Sequence, residues 1–145
     1  MTATAPPFDS RVIGLAHYAA RAVLERVLSR HDATFPQQIT LRSVVVADQP
    51  LAREALVALV AASLKADRAE VHAVVDQLLA KGLVSADGGT VRATDAGRAL
   101  YETVSAESGA VSARIHAGIP AEDRAVAGRV LALITERADA ELAAM

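Results

Sequence analysis

The chain of 145 residues has no cysteine and no tryptophan, and aromatic residues make up only 3% of it. Without thiols there is no disulfide framework, no thiolate metal site and no cysteine nucleophile; the chain suits a reducing compartment, with the cytoplasm as the default. With so few rings, and with alanine abundant among the 52% hydrophobic residues, the composition favours long, closely packed helices over a sheet core. No apolar run reaches membrane-spanning length, and residues 1–10 lack the basic and apolar regions of a secretory signal, so a soluble chain without a membrane partner is expected. An excess of one charge is missing as well. Fifteen Lys and Arg face 17 Asp and Glu, for a net charge of −2, so a nucleic-acid function has to rest on local cations. There is no glycine-rich phosphate loop, no G-x-S-x-G elbow and no acid and base pair at a recognisable spacing, so no catalytic residue is assigned and no enzyme is expected. The four histidines, at 17, 31, 72 and 116, share no i, i+4 pairing, so neither a metal site nor a cofactor is expected.

What the chain does have is helical punctuation. By length it is a single domain over 1–145 that can bury most of its apolar surface unaided. The most informative stretch runs from Asp67 to Val84. Asp67 and Glu70 have capping-box spacing, and Val71, Val74, Val75, Leu78 and Leu79 recur on one helical face. Gly82 supplies a positive φ where the helix stops. A short strand at Val84, a tight Asp87-Gly88-Gly89 turn, a second strand at Val91 and a new helix after Thr94 complete the outline of a winged helix.

The remaining segments read as helices too. Phe8 to His31 forms a long first helix with Val12, Leu15, Ala16, Ala19, Val23, Val27 and Leu28 at helical spacing. Thr34 and Gln37 suggest a capping box for a second helix over about Phe35 to Val46, with Pro36 tolerated in its first turn. Leu51 to Leu64 forms a third, and the short Lys65-Ala66 link joins it to the Asp67 helix as a helix-turn-helix. Thr94 caps a fifth helix through about His116. Pro120 opens a sixth, with Val126, Val130, Leu133, Ile134 and Leu142 expected inside.

In order and spacing these segments resemble the MarR (multiple antibiotic resistance regulator) family. Val71 to Val84 is similar to its V-x-x-L-V-D-x-L-x-x-K-G-L-V pattern, Val91 to Leu100 to a wing followed by L-T-x-x-G-R-A-L, and Thr34 to Leu41 to the opening of its second helix. The resemblance implies a mainly α fold with a small β-wing: a winged helix-turn-helix of six helices whose terminal helices interleave in a homodimer. Residues 34–94 would be the DNA-binding lobe, and 8–31 and 95–144 the dimerisation helices. The terminal helices carry more apolar surface than the small lobe can cover, which also calls for a partner copy, and two-fold pairing is the commonest arrangement. The function implied is a DNA-binding transcriptional regulator, a repressor of a pseudo-palindromic operator in double-stranded DNA released by a small ligand.

The polar face of the fourth helix carries Arg68, Glu70, His72, Ala73 and Gln77. Arg68 can donate twice to guanine, Gln77 can pair with adenine, and Glu70 can accept from a cytosine amino group. Lys65, Lys81 and Arg53 suit phosphate contacts. Arg92 is the only cation of the wing. From Lys65 to Gly82 three cations (Lys65, Arg68, Lys81) meet three anions (Asp67, Glu70, Asp76). Ala73 and Gln77 stand where the family often shows basic residues, so a winged-helix interaction or ligand-binding module without DNA binding stays open as the alternative. His17, Tyr18, Arg21, Gln38 and Arg42 resemble the lining of the crevice in which MarR-type proteins hold small aromatic or anionic ligands; an arginine there can clamp a carboxylate. The competing reading has His17 and Tyr18 packed at the dimer seam.

Overall fold

The computed structural model describes residues 3–145. Its elements run α1 (Ser10–Ser29), α2 (Phe35–Ala47), β1 (Leu51–Ala52), α3 (Arg53–Leu64), α4 (Arg68–Ala80), β2 (Val84–Asp87), β3 (Thr90–Ala93), α5 (Asp95–His116) and α6 (Ala121–Ala144). The chain divides into two compact units, one ending at Gly109 and the other running from Ala110 to Met145. The mainly α fold with its β-wing matches the reading of the sequence, and five of the six helices fall close to their expected limits.

The third helix is the exception. Leu51 and Ala52 do not begin it but pair antiparallel with Val91 and Thr90, giving a three-stranded sheet ordered β1-β3-β2. The Arg53 N–H, 2.9 Å from the Gly89 carbonyl oxygen, continues this pairing into the first residue of α3. A two-residue strand has no periodicity of its own and exists only because β3 offers it a partner.

Within the first unit, α2, α3, α4 and the sheet enclose one core of Leu41, Val44, Leu56, Val57, Val60, Val71, Val75, Leu78, Val84 and Val91. A smaller cluster of Val27, Leu28 and Val104 ties the end of α1 to α5. The caps differ from one another. Thr34 forms its full reciprocal box with Gln37, whereas Asp67 makes no side-chain cap bond. The expected Asp67–Glu70 box is therefore absent. Both carboxylates stay exposed, where they act on α4 only through the positive end of its dipole. Gly82 ends the α4 segment at φ +70° as expected.

Thr94 does more than cap α5. Its Oγ1 accepts from the Gly97 N–H at 3.0 Å and donates to the Gly82 carbonyl at 2.7 Å. This clasp brings the first turn of α5 against the exit of α4. Gly97 is buried there, and a Cβ on it would lie 2.0 Å from the Leu83 carbonyl oxygen. The glycine of the T-x-x-G pattern is thus required by close approach rather than by an unusual dihedral.

In the second unit, Pro120 serves as N-cap of α6 rather than as its first helical residue. None of the α6 side chains is buried. The residues expected inside are instead exposed, Val126 at 49% and Leu142 at 56% among them. Nothing within this unit covers them.

Candidate nucleic-acid interface

The helix-turn-helix is built by a two-residue link. Lys65 adopts φ +54°, and the Ala66 N–H returns to the Ala61 carbonyl at 3.1 Å, closing α3 before α4 begins. Val71, Val75 and Leu78 then anchor α4 in the core. Helical geometry turns Arg68, Ala69, Glu70, Ala73, Asp76 and Gln77 to the surface, where all are exposed. One helix face is in the core and the opposite one is open, as groove insertion requires.

Two polar networks brace this open face, and neither was legible in the sequence. In the first, Arg53 donates from Nε to His72 Nδ1 at 3.1 Å and from Nη2 to the His72 carbonyl at 3.2 Å and to Asp76 Oδ1 at 2.8 Å. His72 Nε2 lies 3.6 Å from Glu54 Oε1. Because Nδ1 accepts from a guanidinium, the ring proton sits on Nε2, pointing toward Glu54. Arg53 therefore ties the start of α3 to the middle of α4. In the second network the almost fully buried Gln37 of α2 contacts both Gln77, at 2.9 Å, and Lys81, at 3.0 Å. Lys81 also donates to the Asp32 carbonyl.

The other cations of the expected DNA face differ in commitment. Lys65 donates to the Ala62 carbonyl at 2.7 Å. Arg92 extends from β3 with Nε 3.4 Å from Ser85 Oγ. The side chains of Arg68 and Glu70 make no hydrogen bond or ion pair among the described residues, so the first turn of α4 is the chemically open part of the helix.

The five residues suggested for a ligand crevice fall at separate places on α1 and α2. His17 and Tyr18 are exposed, with their rings edge to face at 5.9 Å. Arg21 pairs with Glu25 at 3.0 Å and lies over the Phe35 ring at 4.3 Å. Gln38 is 7% exposed, and its Oε1 is buried without a hydrogen-bond partner among the described residues. Arg42 lines an open groove of about 570 Å³ between α2 and α3, beside Ile39, Val46, Leu51 and Leu59. The other four do not line that groove. Among the described residues no three His, Asp or Glu side chains cluster as metal ligands, and no helix is long and apolar enough to cross a membrane.

No family model matches the chain, and no curated protein matches it. Solved structures do. The reduced form of MarR from E. coli is similar over 90% of this chain and 95% of its own, with a TM-score of 0.69 and 21% identity. A MarR-family transcriptional regulator from Rhodococcus sp. RHA1 is similar over 85% of this chain and 89% of its own, at TM-score 0.72 and 20% identity. A Mycobacterium tuberculosis MarR-family protein, crystallised in complex with DNA, is similar over 90% of this chain and 98% of its own, at TM-score 0.69 and 22% identity. The chain has the MarR-type winged-helix fold.

Proposed function

We propose that this chain is a MarR-family transcriptional regulator that binds a pseudo-palindromic operator in double-stranded DNA as a homodimer, one α4 per half-site. The observation that carries this reading is α4 itself, anchored by Val71, Val75 and Leu78 and open at Arg68, Glu70, Ala73 and Gln77. The likeness to a fold solved with DNA supports it. Half-sites then lie about 10 base pairs apart, one duplex turn. Arg68 donates to a guanine edge and Glu70 accepts from a cytosine amino group. Lys65, Lys81 and Arg92 contact phosphate, while Arg53 and His72 hold the helix at its angle. As a regulator of DNA the protein works in the cytoplasm.

The dimer is formed by α1, α5 and α6, supported by the apolar side chains these helices leave exposed: Leu15, Tyr18, Ile115, Val126, Leu133 and Leu142. Large apolar side chains left exposed along a helix are what an association surface would cover. A small aromatic or anionic ligand held near His17, Tyr18, Arg21, Gln38 and Arg42 favours a dimer with wrongly spaced recognition helices, which relieves repression by a population shift. The Gln38 oxygen, buried and without a hydrogen-bond partner among the described residues, and the open Arg42 groove support this.

Selection of bound duplexes from a random pool at low salt tests the reading, with fluorescence anisotropy on the selected site as the readout. Arg68→Ala is expected to weaken that site by about 1 to 3 kcal/mol and to relax one base position. Binding no tighter than to a scrambled duplex overturns it. A second reading, a winged-helix interaction or ligand-binding module without DNA, is favoured by one specific feature. Arg53 and Lys81 are engaged by Asp76, Asp32 and Gln37 rather than held open for phosphate.

A further inference from the structure

We infer that Gln77 reads DNA in one polarity only: Gln37 holds its amide oxygen inward, so Gln77 presents N–H donors alone and selects a base edge that accepts, guanine first and thymine second, over adenine. This rests on α4 being the recognition helix.

The assignment follows from which groups can only donate. Gln37 Oε1 receives the Thr34 backbone N–H at 3.2 Å and the Lys81 ammonium at 3.0 Å. Neither of those groups can accept, so the Gln37 atom facing them is its oxygen. The other end of the Gln37 amide is then nitrogen, and it donates to Gln77 at 2.9 Å. The Gln77 atom receiving that bond is therefore its oxygen, and what remains on the exposed side of Gln77 is the NH2 group. Gln37 is only 5% exposed, so water competes poorly at its end of these bonds and its own orientation is fixed by protein groups.

A freely turning glutamine reads adenine by donating to N7 while accepting from the N6 amino group. With the oxygen turned away, only donation is left. Guanine offers two adjacent acceptors, O6 and N7, and thymine one, O4, whereas the adenine and cytosine amino groups oppose a second donor. Gln37 and Lys81 are positioning residues in this arrangement, acting through Gln77. The Lys81 ammonium, with bonds to Gln37 and the Asp32 carbonyl, retains a third N–H for phosphate.

The substitution Gln37→Glu separates this relay from ordinary packing. A carboxylate at 37 still accepts from Thr34 and Lys81, but it offers residue 77 only oxygen, so the Gln77 amide has to turn and expose its own oxygen. Duplexes selected from a random pool by the wild-type protein and by Gln37→Glu are compared, with Gln77→Leu locating the base that faces position 77. The expected result is a shift at that base from guanine or thymine to cytosine or adenine by about tenfold, with the other base positions and the thermal unfolding midpoint retained. If Gln37→Glu fails to fold, Gln77→Glu serves instead. One of its oxygens accepts from Gln37 and the other faces the groove, so the same shift is expected. An unchanged base in a folded variant, or no base position that responds to Gln77→Leu, overturns the inference while leaving DNA binding intact. No enrichment over the starting pool overturns both.

Discussion

The winged-helix lobe and α6 are made from the same kind of residues with opposite results. In the lobe, valines and leucines at helical spacing are sealed: Val57, Val60, Val75 and Leu78 have almost no exposed surface. In α6, Val126, Val130, Leu133 and Ile134 share a similar spacing and every one is exposed. Periodicity therefore specifies which face of a helix is apolar, and only the rest of the fold specifies what covers it. Where one chain supplies the cover, the result is a lobe that orients α4. Where it does not, the face belongs to an association surface, which is the role proposed for α6.

The strongest way to break this comparison is to remove the apolar face of α6 while sparing the helix. The pair Val130→Glu and Ile134→Lys places an i, i+4 ion pair in the favourable order and strips two apolar side chains from each copy. Across a two-fold seam the expected loss is about 4 to 8 kcal/mol of association, read by light scattering as a monomer at micromolar concentration. An unchanged mass would show that this face of α6 plays no part in self-association. Next in size is Gly97→Ala in the lobe. The new Cβ meets the Leu83 carbonyl oxygen, and overpacking against backbone is expected to lower stability by about 3 kcal/mol in urea unfolding. A neutral outcome would mean that the Thr94 clasp yields easily. The smaller effects contrast two caps. Thr34→Ala removes a complete reciprocal box and is expected to cost about 1 kcal/mol. Asp67→Ala removes no cap bond and is expected to stay within about 0.5 kcal/mol. Equal losses at the two sites would contradict the difference in their geometry.

These contrasts also mark what was legible in the sequence. The helices were, because Val71, Val75 and Leu78, or Val23, Val27 and Leu28, repeat at intervals that only a helix can align. Gly82 and the Thr34–Gln37 box were, because each acts within a few residues of chain. The strand Leu51–Ala52 was not, since its partners Val91 and Thr90 lie some 40 positions away and two residues carry no pattern. Asp67 and Glu70 have capping spacing without the bond, which shows that spacing permits a cap but local side-chain geometry decides it. The face of α4 was identified from its polar residues, yet its bracing was not. Arg53, Gln37 and Asp32 reach it from other elements, and nothing in a linear reading distinguishes a glutamine that orients its neighbour from one that meets solvent. For α6 the apolar stripe is legible in the sequence, while its cover is not among the residues of its own unit.

The clasp between Thr94 and Gly82, closed by the bare backbone of Gly97, gives α5 a short arm rigidly fastened to the exit of α4 and the base of the hairpin. With no side chain between these segments to act as a cushion, the start of α5 and the exit of α4 meet backbone to backbone. Small rotations of one long helix would then set the aim of another, making this joint a fulcrum rather than a linker.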